Sequence, residues 1–148
     1  MRDITKFGLN RRRLLFGTDV LLDAVERTRL ESKEARLVLR RCSGGEDLGF
    51  VTPLSLRDVY YIIGRQHGVR QARGVVRRLL DLVMVVPLGP EECDVSLASD
   101  EPDFEDGLVR ACAELNEIDF ILTRDKRAFS RSTVRSLTCR EYLDICSD

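Results

Sequence analysis

The sequence predicts a single α/β domain, built as a three-layer α/β/α sandwich around a central parallel sheet of four to five strands. Two observations lead to this fold class. Short apolar runs of the kind that form strands buried on both faces recur along the 148 residues. Segments with helical spacing separate them, so right-handed crossovers place helices on both sides of the sheet. We assign residues 13–148 to this domain and residues 1–12 to a polar N-terminal extension, expected to be poorly ordered.

The first half of the chain predicts two strands and three helices. The first strand covers residues 13–16, and the apolar residues 20–22 are interpreted as part of the loop that follows Gly17 and Thr18. Helical spacing and glycine or proline boundaries place the remaining elements as a helix over 31–41, a strand at 50–51, a helix with its apolar face over 56–63, and a helix over 69–80.

The second half begins with the run Leu-Val-Met-Val-Val-Pro at residues 82–87, which predicts a strand buried on both faces. The remaining pattern predicts helices over 91–99 and 104–115, a strand at 119–123, a weaker strand at 135–137, and a final helix over 139–145. Strands and helices alternate to the end of the chain, as the sandwich requires.

Composition excludes several classes of protein. Lys and Arg (24) nearly balance Asp and Glu (25), so the net charge identifies neither a nucleic-acid binder nor a membrane-surface protein. No apolar run is long enough to cross a bilayer, and we expect a soluble, cytoplasmic protein. The five cysteines contain no Cys-x-x-Cys pair and are expected to be reduced and mostly buried. A single histidine, His67, argues against zinc hydrolases and histidine-dependent nucleophiles.

Carboxylates follow the predicted strands, at the edge where open parallel sheets bind ligands. They are Asp19, Asp58, Asp103 with Asp106, and Asp125. Like charges are costly together unless a cation neutralises them, and carboxylate oxygens are preferred ligands of Mg²⁺ and Mn²⁺. Metal-assisted hydrolysis of phosphodiesters is the chemistry that this pattern favours.

Four segments resemble, in order and spacing, the motifs of PIN domains: LFGTDVLLD (15–23), SLRDVYYI (55–62), DFEDGL (103–108) and ILTRDKRAF (121–129). The most specific feature is the DFED helix start followed about twenty residues later by the Thr-Arg-Asp turn. The resemblance implies a PIN-like fold, Mg²⁺ or Mn²⁺ as cofactor, and RNA as the substrate of an endoribonuclease. Many PIN proteins are VapC toxins of toxin-antitoxin pairs, so it further implies a homodimer silenced by a small antitoxin protein.

The resemblance also assigns roles to individual residues. The catalytic residues implied are Asp58, Asp106 and Asp125. The implied metal ligands are Asp19, Asp103, Asp106 and Asp125. Substrate contacts are expected from Thr123, Arg124, Lys126 and Arg127, beside the acidic group. A second basic row, interpreted as a solvated helix face, comprises Arg70, Arg73, Arg77 and Arg78.

The first motif departs from the family pattern, because Gly17 stands where the family has its leading aspartate and the carboxylate comes two places later, at Asp19. In an extended segment, residues two apart stand roughly 6.5 Å from each other. Asp19 could replace the missing acid only if the chain bends back. The alternative function is therefore a catalytically weakened PIN-fold module that binds RNA or a protein partner.

Structural roles stand beside the functional ones. Asp103, after Pro102, is suited to cap the helix that follows, and the acids of its first turn complement the helix dipole. Asp58 fits a solvated helix face, and Thr123 an ordinary strand end. A receiver domain and a dinucleotide-binding fold are disfavoured, since the paired acids of the former and the glycine-rich turn of the latter are absent from the sequence.

Overall fold

The structure is a computed structural model and describes residues 11–147. Its sheet has five parallel strands in the order β3-β2-β1-β4-β5. The strands are β1 (Arg13–Phe16), β2 (Leu48–Val51), β3 (Met84–Val85), β4 (Phe120–Leu122) and β5 (Arg135–Leu137). The predicted α/β fold class with a parallel sheet of four to five strands is confirmed.

Seven helices connect and flank these strands within the described residues. They are α1 (Thr18–Val25), α2 (Ser32–Ser43), α3 (Pro53–His67), α4 (Val69–Leu82), α5 (Pro90–Ala98), α6 (Phe104–Leu115) and α7 (Cys139–Cys146). A single 3-10 turn, Lys126–Phe129, follows β4. The helices α3 and α4 meet at Gly68, whose φ of 91° belongs to the left-handed region that glycine adopts without a steric penalty.

Two apolar cores lie on the two faces of the sheet. Alternate residues of β1 point to opposite faces, so Leu14 and Phe16 pack with the helices α1 to α4 and α7. Leu15 packs on the other side, with Val109 and Cys112 of α6. This arrangement gives the three layers that the sequence predicts.

The prediction of a loop over residues 17–22 is wrong, because α1 begins at Thr18 directly after β1. Gly17 is its N-cap, with extended backbone at φ −72° and ψ 159°. The residues from Val20 to Ala24 are all buried, so their apolar run belongs to a helix enclosed by its neighbours. Helix and strand cannot be separated by periodicity when every side is buried.

The prediction that residues 82–87 form a strand buried on both faces is also wrong. Only Met84 and Val85 are in strand conformation, and they are 46% and 42% exposed. This strand pairs with β2 alone and forms an edge of the sheet. The apolar residues that enter the core are its neighbours Val83 and Val86.

Three further predictions concern the termini, the cysteines and the membrane. Of the predicted extension 1–12, residues 1–10 lie outside the described residues. All five cysteines carry free thiols; Cys112 and Cys139 are buried and the others, Cys42, Cys93 and Cys146, are half-buried. Between residues 11 and 147, every helix is too short or too polar to cross a lipid bilayer.

Candidate active site

The three central strands β2, β1 and β4 run parallel, so their carboxyl ends meet at one edge of the sheet. Asp58 lies in α3, after β2, while Asp19 follows β1 and Asp125 follows β4. The helix α6 leads into the start of β4, which places its first turn at this same edge. The fold therefore gathers at one edge the carboxylates that are scattered along the sequence.

Three acids lie at the start of α6, one as its N-cap and two in its first turn. Asp103 is the N-cap, and its Oδ1 accepts the backbone N–H of Asp106 at 2.9 Å. The capping role predicted for Asp103 is thereby confirmed. The charge of Asp103 also raises the pKa of its neighbours Glu105 and Asp106.

Asp106 is the half-buried member of this group. Burial, and after it the negative charges of Asp103, Asp125 and Glu101, raise the pKa of its carboxyl group to about 6. The charge of Asp125 acts on Asp106 because the turn after β4 and the start of α6 lie at the same edge of the sheet. Such a carboxylate is costly to ionise at neutral pH and favours a cation or a proton beside it.

Glu105 connects this group to Asp58. Burial, followed by the charge of Asp58 and a hydrogen bond with it, raises the pKa of Glu105. Asp58 also accepts hydrogen bonds from Thr18 Oγ1 at 3.5 Å and from Arg57 Nη1 at 3.4 Å. The sequence pattern does not single out Glu105 as a site residue. Its one local signal is a position in an acidic first helical turn, which the helix dipole also explains.

Asp19 lies closer to the end of β1 than an extended segment would allow. Because α1 begins at Thr18, the chain turns at once and the side chain of Asp19 folds back. Its Oδ1 stands 2.8 Å from the position of a Cβ atom built on Gly17. That position also lies 3.3 Å from the carbonyl oxygen of Leu122. The carboxylate thus returns to the space beside the missing side chain at position 17.

The oxygens of Asp19 accept hydrogen bonds from the turn after β4. Oδ2 accepts the backbone N–H of Arg124 at 2.7 Å and the hydroxyl of Thr123 at 3.2 Å. Oδ1 accepts the N–H of Val20 at 2.9 Å. The structure therefore places Asp19 against the Thr123–Asp125 turn. The carboxylates that raise the pKa of Asp106 are Asp103, Asp125 and Glu101.

The turn itself presents Asp125 to solvent. Thr123 is only 3% exposed, and its Oγ1 accepts the N–H of Asp125 at 3.0 Å. The guanidinium of Arg124 donates to Asp23 through Nε at 2.8 Å and Nη2 at 3.2 Å. Asp23 was not recognised from the sequence, although it lies four residues after Asp19 on the same face of α1.

The predicted phosphate contacts differ in their surroundings. Arg124 is paired with Asp23, and Lys126 donates to both carboxylate oxygens of Glu141, at 2.9 and 2.8 Å. Arg127 is exposed on the same turn. All three lie beside Asp125, whereas the second basic row, which begins with Arg70, lies on α4.

The donor set suits a hard divalent cation, since it consists of carboxylates and Asp106 has a raised pKa. No three His, Cys, Asp or Glu side chains of residues 11–147 are close enough together to enclose a metal ion by themselves. Mg²⁺ commonly binds through one or two carboxylates, with water and substrate phosphate as its other ligands. The acidic edge fits this open type of coordination.

The chain belongs to the PIN domain family, whose profile matches residues 13–127. Among solved structures, it resembles VapC20 of Mycobacterium tuberculosis, a toxin that cleaves the sarcin-ricin loop, with 15% identity and a TM-score of 0.63 over 79% of this chain and 93% of that one. A toxin-antitoxin complex from Klebsiella pneumoniae gives 18% identity and a TM-score of 0.65, over 85% and 97% of the two chains.

VapBC2 from Rickettsia felis, bound to a DNA fragment from its promoter, gives 10% identity and a TM-score of 0.65, over 85% of this chain and 98% of that one. At these identities the likeness establishes a common fold. No curated protein matches the chain significantly.

Proposed function

We propose that this protein is a metal-dependent endoribonuclease of the PIN type and the toxin of a toxin-antitoxin pair. The observation that carries the proposal is the meeting of carboxylates from α3, from the start of α6 and from the turn after β4 at one sheet edge. The raised pKa of Asp106, which results from burial and from the charges around it, supports a cation there.

The residues divide into two groups in this proposal. Asp103, Asp106 and Asp125 form the metal-binding group, in which one or two carboxylates contact Mg²⁺ or Mn²⁺ and water and an RNA phosphate supply the other ligands. When bound, the ion activates water and stabilises the charge that develops on the phosphate oxygens. Asp58 and Glu105 take up the proton that the attacking water loses and return it to the oxygen of the leaving nucleotide, since Glu105 has a raised pKa and a hydrogen bond with Asp58.

Basic residues of the turn after β4 are suited to contact the RNA backbone. Arg127 is exposed and lies two residues after Asp125. Lys126 is held by Glu141 in an exposed ion pair, which is worth little in water and can be exchanged for a phosphate contact. Arg124 contributes positive charge from its place beside Asp23, 40% exposed. The hydroxyl of Thr123 reaches RNA only if it leaves Asp19.

The proposed partners follow from the solved relatives, two of which are toxin-antitoxin complexes. We propose as one partner a small antitoxin protein that covers the acidic edge. We also propose a homodimer, formed through the exposed apolar residues Tyr61, Val69 and Leu80 of α3 and α4. The proposed location is the cytoplasm, where RNA is available.

Cleavage of RNA by purified protein tests the proposal. Asp106→Asn and Asp125→Asn should each reduce the rate by about 100-fold or more, because each removes a charge from the group. Asp81→Asn, an exposed acid on α4, is the matched control and should leave the rate unchanged. Calorimetric titration of Mn²⁺ into metal-free protein should give binding that Asp106→Asn abolishes. Cleavage that survives both site variants would refute the proposal.

The second candidate is the weakened PIN module that binds RNA or a partner protein. It is favoured by Gly17, which supplies no carboxylate, and by the engagement of both Asp19 oxygens in hydrogen bonds. Wild-type protein that binds RNA without cleaving it, with or without Mn²⁺, would select this candidate. Retention of the same RNA affinity in Asp106→Asn would strengthen it.

A further inference from the structure

One face of α1 contacts the turn after β4 through two carboxylates. Asp19 and Asp23 are four residues apart in the helix and are therefore neighbours on its surface. Asp19 binds the backbone N–H of Arg124, and Asp23 binds the guanidinium of the same residue. A single residue of the turn is thus held at its backbone and at its side chain. We call Asp19 and Asp23 the α1 clamp.

We propose that Asp19 is a positioning residue, which acts with Asp23 to fix the turn 123–125 so that Asp125 faces Asp106, and that it is not a metal ligand. The inference rests on the proposed function for the role of Asp125. It goes beyond that function by assigning to Asp19 and Asp23 the orientation of Asp125.

Burial makes the side-chain half of the clamp strong. Asp23 is 2% exposed and accepts from Arg124 at 2.8 and 3.2 Å and from Arg29 at 3.4 Å. A buried carboxylate needs such partners, because without them its charge loses the solvation of water and gains nothing in return. The guanidinium of Arg124 is therefore fixed beside the Asp23 carboxylate.

The hydroxyl of Thr123 connects Asp19 to the backbone of Asp125. Thr123 Oγ1 accepts the N–H of Asp125 at 3.0 Å and donates to Asp19 Oδ2 at 3.2 Å. A hydroxyl has a single proton to donate, so this proton is committed to Asp19. The position of the Asp19 carboxylate then determines the orientation of the hydroxyl and the conformation of the turn.

Glycine at position 17 gives the clamp its space. A Cβ atom there would come within 2.8 Å of Asp19 Oδ1 and 3.3 Å of the Leu122 carbonyl oxygen. A carboxylate side chain at position 17 and the carboxylate of Asp19 in its present place exclude each other. The two departures from the family pattern, the glycine and the displaced acid, are therefore parts of one arrangement.

The experiment compares Asp19→Asn with Asp19→Ala in metal-free protein. Asparagine keeps an oxygen that can accept from Arg124 N–H and from Thr123, whereas alanine keeps none. We expect amide hydrogen exchange at Arg124 and Asp125, measured by NMR, to be about tenfold faster in Asp19→Ala and close to wild type in Asp19→Asn. Asp81→Ala is the control for unspecific effects. Unchanged exchange in Asp19→Ala would overturn the clamp.

Calorimetry with Mn²⁺ alone separates positioning from ligation. A positioning role predicts that Asp19→Asn retains Mn²⁺ affinity within about threefold, while Asp106→Asn loses it. Equal loss in the two variants would make Asp19 a ligand and overturn the inference. If wild-type protein binds no Mn²⁺, the proposed function fails while the exchange data still decide whether the clamp exists. Thr123→Val, which removes only the hydroxyl, should accelerate exchange at Asp125 and provides a second variant if Asp19→Ala is unstable.

Discussion

The Oδ1 atom of Asp19 lies 2.8 Å from the position that a Cβ atom on Gly17 would take. A carboxylate that stands two places away in the sequence therefore comes back to the end of β1. It does so because α1 begins at Thr18, immediately after the strand, and a helix advances only about 1.5 Å per residue. A negative charge therefore stands beside position 17, although the residue at that position has no side chain.

This relationship predicts that restoring the family aspartate alone is unfavourable. In Gly17→Asp, the new side chain displaces Asp19 from Arg124 N–H and places two like charges together, which should cost on the order of 1 kcal/mol of stability. The double variant Gly17→Asp with Asp19→Ala should recover the part of this loss that comes from the like charges, since it removes the second carboxylate. Thermal unfolding of the three proteins without metal measures the effect. A single variant as stable as wild type would contradict the spatial exclusion.

The raised pKa of Asp106 predicts a pH dependence of stability. Its carboxyl group titrates at about 6 instead of 3.8, so the folded protein binds more protons than the unfolded chain between these values. Stability therefore falls as the pH rises from about 4 to 6, and the penalty persists at pH 7.

Asp106→Asn should remove this penalty and increase the free energy of unfolding by about 1 kcal/mol at pH 7, a value reduced for partial exposure, with almost no gain at pH 4. Urea unfolding of metal-free protein at both pH values tests this, with Asp81→Asn as the control. An equal effect at the two pH values would show that the gain has another cause.

The ion pair of Asp23 with Arg124 predicts a measurable coupling energy. Arg124→Met should cost about 2 kcal/mol because it leaves Asp23 with Arg29 as its remaining partner in a buried place. A double-mutant cycle with Asp23→Asn should give a coupling of about 1 kcal/mol. The cycle of Arg140→Met with Glu34→Gln, a longer and more exposed pair, is the control and should give close to zero. Equal coupling energies in the two cycles would show that burial does not strengthen the Asp23–Arg124 pair.

The location of Arg127 predicts a salt-dependent role in RNA binding. Arg127→Gln should lower RNA affinity at low salt and reduce the slope of log affinity against log salt by about 0.7 to 1, as expected for one lost phosphate contact. Arg70→Gln, on the exposed start of α4, should change neither quantity. If Arg70→Gln changes the slope and Arg127→Gln does not, the prediction is wrong and RNA binds along α4.

The sequence alone predicts much of this protein, and the failures have physical reasons. The bounds of α6 and β5 follow the sequence pattern to the residue, because helical spacing and the cap at Asp103 are local properties. The helical conformation of residues 18–22 could not be predicted in this way, since Val20, Leu21 and Leu22 are consecutive and all buried, and such a run has no helical period. The contacts of Asp23 with Arg124 and of Glu105 with Asp58 join distant parts of the chain, so no local sequence pattern predicts them.

Both edges of the sheet are short, two residues in β3 and three in β5. An edge strand exposes unpaired backbone groups that can recruit a strand from another molecule and start aggregation. Here an incoming strand finds only a few such groups at either edge, and the exposed Arg135 places a charge on the β5 side. The shortness of β3 therefore limits its use as a template for fibres, even though Met84 and Val85 are exposed.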